Sequence, residues 1–192
     1  DGLPCEQQSP RRTAGSYCML QSAVAQRVRT CYNRYTTCTA DIRHTEAWHM
    51  YYSQLVKTAC TILFQAHKDD LDKGGYPYVF HPFYLATQMD DEASTCVALL
   101  HDVIEDHGDV YSFADLERAG FPASVLDALR LLTHAEGVPY MDYVQALAKN
   151  PIARRVKCAD LRHNLDTRRI DGAAPAKKGI YLQALAYLEK TE

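Results

Sequence analysis

From residue 50 onward, apolar positions recur at helical spacing. Leu55, Ala59, Ile62 and Ala66 step by four, three and four, and Ala93, Val97, Leu100 and Ile104 repeat the rhythm. Val125, Leu129 and Leu132 continue it, followed by Tyr140, Val144 and Leu147. Residues 151–169 predict another helix, and Leu182, Leu185 and Leu188 a last one. Strand-like alternation is scarce, so the pattern predicts an all-α domain of consecutive helices. Turns are marked by Lys73, Gly74, Gly75 and Tyr76-Pro77, and Gly120, Gly137 and Gly172 fall between helical segments. His81-Pro82 reads as a helix start, with proline where its missing N–H does no harm. No internal repeat or long low-complexity tract is present.

The first 49 residues have a different composition. They hold six arginines and no lysine, four of the seven cysteines and only a weak Leu20, Val24, Val28 stripe. Three readings stand: an organellar transit peptide, an accessory segment packed on the domain, or an extension upstream of a natural start near Met50. The domain expectation is an N-terminal extension at 1–49 and a globular unit at 50–192. With 6 basic and 4 acidic groups before residue 50, the remainder carries 15 and 20, so the globular unit is acidic.

An apolar content of 47% and a charged content of 23% suit a soluble globular protein, and no apolar run is long enough to span a membrane. A net charge of −3 gives no reason to expect nucleic-acid binding. Cys5, Cys18, Cys31, Cys38, Cys60, Cys96 and Cys158 include no CxxC pair, so no disulfide framework is indicated and a reducing, cytoplasmic setting is expected. Cys31, Cys38, His44 and His49 match no compact zinc-finger spacing.

Candidate chemistry concentrates in LLHDVIED at residues 99–106. On a helix, His101 would stack with Glu105, and Asp102 with Asp106. Four such groups beside Leu99, Leu100, Val103 and Ile104 cost free energy unless a metal ion, protons or water compensates them. Two further segments carry ligand-type residues: KGGYPYVFHP, ending in His81-Pro82, and VKCADLRHN, containing Asp160 and Asn164. Asp160, Asn164 and Thr167, at spacings of four and three, would share one helical face. His67 is a candidate supporting residue, whereas His163 should point about 100° away from Asn164, and His107 and His134 carry no argument. Two imidazoles and two carboxylates form a mixed N/O set suited to Mn²⁺ or a similar divalent ion.

The ordered set of PYVFHP, HDVIED and KCADLRHN resembles the HD-domain hydrolases of the RelA/SpoT type, in particular the small alarmone hydrolases without a synthetase domain. The resemblance covers about residues 50–190 and implies a compact HD-type helical bundle with one divalent-metal site. It implies Mn²⁺ or another divalent ion on His81, His101, Asp102 and Asp160, catalytic acids at Glu105 and Asp106, and nucleotide contacts at Asn164 and Thr167. The reaction implied is removal of the 3′-pyrophosphate of (p)ppGpp, giving GDP or GTP and pyrophosphate, with a small-molecule nucleotide as partner and neither nucleic acid nor membrane. The sequence departs from the family at Asp72-Lys73, where Arg-Lys is usual and the arginine packs on guanine. Lys73 can still meet phosphate, but Asp72 cannot stack on a base. Two alternatives stay open: a phosphohydrolase for another nucleotide, such as the 2′-phosphate of NADPH or a deoxynucleotide, and a catalytically silent regulatory domain. Oligomeric state is not specified by the sequence.

Overall fold

The computed structural model of the chain describes residues 51–170 and 176–191. The extension expected at 1–49 and the break expected at Gly172 lie outside them. Among the described residues every regular element is helical, as the spacing predicts, and pairing of extended backbone is limited to one isolated antiparallel bridge between Leu71 and Pro77.

Helix α1 (Gln54–His67) starts at Ser53, whose side chain accepts the Val56 N–H. It buries Val56, Ala59, Leu63 and His67 completely, while Leu55, Ile62 and Ala66 of the expected stripe are half-buried against the same core. Adjacent apolar pairs at 55–56 and 62–63 make two stripes available, and packing decides which lies deeper. Helix α2 (Phe80–Ala86) follows the loop and carries His81 in its first turn. Helix α3 (Glu92–Leu100) is the centre of the molecule, packing on α1, on α2 and on two later helices, α6 (Ala123–Leu132) and α8 (Pro151–Leu165). Every residue from Ser94 to Leu100 is buried, as expected for a helix without a polar face. Its two buried hydroxyls are satisfied locally: Ser94 donates to the Asp91 carboxylate at 2.8 Å and Thr95 to the Asp91 carbonyl at 2.7 Å.

The segment LLHDVIED is not one helix. Helix α3 stops at Leu100, His101 and Asp102 form a turn, and a short α4 (Val103–Asp106) follows. Gly108 lies just beyond α4, where a Cβ would come within 2.7 Å of the Ile104 carbonyl oxygen. Helices α5 (Phe113–Arg118), α6 and α7 (Tyr140–Leu147) complete the sides of the core, with Val125, Leu129 and Leu132 buried as the periodicity predicts.

Asn150 caps α8, accepting the N–H groups of Ile152 and Ala153 at 3.0 Å, with Pro151 in the first turn. The helix ends at Leu165, short of the expected 169, and residues 167–170 form a 3₁₀ turn. The last helix, α9 (Lys178–Glu189), lies on α8 and buries Ala184 and Leu188, while Leu182 faces solvent. Among the described residues no helix is long and apolar enough to cross a membrane.

Candidate metal centre

The first turn of α2, the end of α3 and the C-terminal half of α8 bring His81, His101 and Asp160 together. One ligand atom of each lies within 4.8 Å of the others, and all three side chains are buried. His101 Nδ1 lies 2.9 Å from the Ala98 carbonyl oxygen and so donates its proton there. Its Nε2 is therefore the ring nitrogen left to face the cluster, buried and without a well-formed hydrogen bond. Asp160 Oδ1 lies 3.2 Å from His81 Nε2 and accepts from Asn164 Nδ2 at 2.5 Å. Asp102, the fourth expected ligand, stands to one side of this group. Its Oδ2 is 3.0 Å from His101 Nε2 and accepts the Tyr78 hydroxyl.

The electrostatics call for a cation at the centre. Burial opposes a charged His101, but the carboxylates of Asp102 and Asp160 outweigh it and hold the imidazole up at about 9. His81, in contrast, is pushed below the ordinary histidine value by burial, in spite of Asp160. Asp160 is drawn well below the carboxylate range, since Lys157 and His81 more than offset its burial. A divalent ion can supply the positive charge that the proton on His101 supplies otherwise. His101 Nε2, giving up that proton, and the mixed imidazole and carboxylate donors fit such an ion.

Lys157 was not singled out in the sequence, although it stands three residues before Asp160 and so shares its face. Its Nζ is 2.8 Å from Asp160 Oδ2 and 5.5 Å from the centroid of the Tyr143 ring. His163 also contradicts its expectation. Measured from Asn164 it points away, but it is three residues after Asp160, and its Nδ1 lies 2.6 Å from His81 Nδ1 while its ring stacks on Tyr84.

The cluster opens into a cavity of about 690 Å³, within the usual size of a small-molecule site. Glu105, Asp106, Lys73 and Asn164 line it with the expected ligands His81, Asp102 and Asp160, but Thr167 is not among the lining residues. The shared face breaks because α8 ends two residues before Thr167, and Asp166 lines the cavity instead. Glu105 Oε2 accepts the His134 N–H at 3.0 Å, which orients that carboxylate. Partial burial and the nearby charges of Asp102 and Glu105 raise the Asp106 carboxyl to about 6. Eight carboxylates and only two lysines line the whole cavity, so an anionic ligand needs added positive charge to enter.

Asp72 lines the cavity and at the same time braces its own loop. Its Oδ1 accepts the Gly74 N–H at 2.8 Å and the Tyr76 N–H at 3.0 Å, closing the loop in which Gly75 has φ +79°.

Fold and cluster together make an all-helical domain with a buried His/Asp cradle. The comparisons give its relatives. No protein-family model matches the chain. A probable GTP pyrophosphokinase of Mycobacterium leprae (strain TN) is 30% identical over 125 residues, covering 60% of this chain and 16% of that protein. The bifunctional (p)ppGpp synthase/hydrolase RelA of Mycobacterium tuberculosis (strain ATCC 25618 / H37Rv) is 30% identical over 125 residues, or 60% of this chain and 17% of the relative. The chain thus spans only about a sixth of the length of these curated relatives, 16% and 17%. Among solved structures, a metazoan ortholog of SpoT that hydrolyzes ppGpp superposes with a TM-score of 0.57 at 22% identity, covering 73% of this chain and 88% of the other. The resemblance to RelA/SpoT-type HD hydrolases is therefore found in sequence and in fold.

Proposed function

We propose that the chain is a divalent-metal-dependent phosphohydrolase, preferring Mn²⁺, that removes the 3′-pyrophosphate of (p)ppGpp. The observation that carries this reading is the buried His81, His101 and Asp160 group, opening beside Glu105 and Asp106 into a polar cavity of nucleotide size. The relatives' names add the substrate class.

His81, His101, Asp102 and Asp160 would hold the ion, which when bound lowers the pKa of water and offsets phosphoryl charge. The remaining work falls to the chain itself. Ala98 fixes the His101 tautomer, His163 orients His81, and Lys157 and Asn164 hold Asp160. Glu105, held by the His134 N–H, would take the proton of the attacking water. Water adds to the phosphorus attached to the ribose 3′-oxygen, the bond to that oxygen breaks, and the oxygen leaves protonated, with Asp106, which lines the cavity beside Glu105, as the proton donor. Lys73 and Asn164 would contact the phosphates and the nucleotide, with Thr167 further out on the 3₁₀ turn. Every residue in this scheme lies after Met50, so residues 50–192 would be the catalytic unit.

One observation favours a second reading, hydrolysis of another nucleotide: the Asp72 carboxylate closes its own loop and presents no cation to a guanine. Assay of ppGpp, NADPH and dGTP, each with and without Mn²⁺, separates the two. Release of pyrophosphate from ppGpp only when the ion is present is expected. Turnover of a different nucleotide alone would replace this substrate, and no turnover of any would leave a binding domain.

A further inference from the structure

A second group of metal-type side chains lines the same cavity. His67 ends α1, Asp70 lies in the loop behind it, and His107 directly follows α4. The imidazole nitrogens His67 Nδ1 and His107 Nε2 each lie 2.8 Å from one oxygen, Asp70 Oδ2. One ligand atom from each residue falls within 4.8 Å of the other two. His67 is only 1% exposed; its Nδ1 is the ring nitrogen turned to Asp70, and its second nitrogen, Nε2, is buried without a hydrogen-bond partner. The rings of His67 and His107 meet edge to face at 4.6 Å, which fixes both against Asp70. Tyr78 separates the two clusters: its ring packs on His67 at 4.8 Å and on His81 at 5.6 Å, and its hydroxyl goes to Asp102.

We propose that His67, Asp70 and His107 hold a second divalent ion, of the zinc, cobalt or nickel class. Two imidazoles and one carboxylate suit those borderline ions better than Mg²⁺ or Ca²⁺, and three protein ligands leave positions open. Asp70 and His107 line the cavity, so the open positions face the carboxylate-rich space an anionic ligand must enter. The ion does two things there. It offsets part of the negative charge contributed by Asp69, Asp70 and Asp72, in a loop that otherwise offers the cavity only Lys73. It also fastens that loop to the segment carrying His101 and Asp102, since its ligands come from both. The site does not depend on the phosphohydrolase reading.

The test is ion content of the full chain, stripped with chelator and dialysed against Zn²⁺, for wild type, His107→Gln, Asp70→Asn and Asp160→Asn. The quantity read is the difference from wild type, so any zinc held elsewhere on the chain cancels. His107→Gln and Asp70→Asn should each lose one equivalent. Asp160→Asn should also lose one, from the first cluster, and a further one when combined with His107→Gln. Equal content in wild type, His107→Gln and Asp70→Asn overturns the proposal, whereas equal content in wild type and Asp160→Asn overturns the first site instead. Should the variants lose their helical circular dichroism, zinc-edge anomalous scattering from a wild-type crystal decides: a peak among the three side chains is expected, and its absence ends the idea.

Discussion

Lys157 sets its ammonium 2.8 Å from Asp160 Oδ2, with both side chains largely buried against the floor of the cavity. The pair neutralises one carboxylate oxygen and leaves the other to His81 and Asn164. Lys157→Met should therefore leave a buried charge without its partner and destabilise the metal-free protein by about 3–5 kcal/mol. Added Mn²⁺ should recover much of that loss, since an ion at the same carboxylate replaces the ammonium. Thermal melts with and without Mn²⁺ measure both, and a variant that melts like wild type would show that the pair contributes nothing net.

Asp102→Asn and Asp160→Asn each remove a charge while nearly preserving shape. Both should retain the fold and lose the Mn²⁺ that wild type holds. Elemental analysis after dialysis against Mn²⁺ gives the answer, and undiminished stoichiometry in the two variants would withdraw these ligands.

Glu105→Gln should separate binding from turnover. The amide oxygen can still accept the His134 N–H, so the loop stays in place and Mn²⁺ is retained. Turnover should fall by roughly 10²-fold or more, because the amide cannot take a proton from water. Near-normal turnover would move the base to Asp106.

Asp106 supplies a pH signature. Its carboxyl ionises at about 6 in the folded chain, above its unfolded value of about 4. A group raised in this way favours the folded state while protonated, and that contribution is lost as pH rises from about 4 through 6. In metal-free protein Asp106→Asn should melt close to wild type at pH 4 and above it at pH 8. A melting difference independent of pH would mean that Asp106 does not feel its neighbours.

Asp72→Arg tests the loop. Replacing the carboxylate removes the acceptor shared by the Gly74 and Tyr76 N–H groups, so those amides should exchange faster and KM for ppGpp should rise. Asp72→Asn retains an acceptor oxygen and should exchange like wild type. A lower KM in Asp72→Arg would show instead that residue 72 reaches the base.

The opposite expectation for that variant arises from the sequence alone, where Asp72 reads as a misplaced charge near a substrate. Which acceptor closes a turn depends on backbone direction at Gly74 and Tyr76, and residue type does not carry that information. The core positions Val125, Leu129 and Leu132 of α6 were legible from their spacing, with Leu126 and Ala128 widening the same buried side, whereas on α1 the most buried positions are Val56 and Leu63 and not their neighbours Leu55 and Ile62. His81, His101 and Asp160 were legible as a set because their order and neighbours are distinctive. The break at His101-Asp102 was not, since both residues tolerate helix and only the packing of α3 and α4 ends it. Lys157 and His163 could have been found by counting three residues from Asp160 instead of reasoning from Asn164. The group of His67, Asp70 and His107 had no sequence signal beyond residue type, because 37 residues separate Asp70 from His107 and only the fold joins them.

Helix α3 has a further consequence through its lack of a solvent-facing side. A segment buried on all faces has no low-energy local opening, so its amides exchange only when the entire domain unfolds. His101 sits at the end of that segment, and the geometry it presents is as durable as the protein's global stability. The loop between α1 and α2 is held by a few polar contacts and one isolated bridge rather than by burial, with Leu71 and Tyr76 exposed. Changes in ligand preference are thus free to accumulate in the loop at little cost to the fold, while the imidazole end can drift only by endangering the survival of the whole chain.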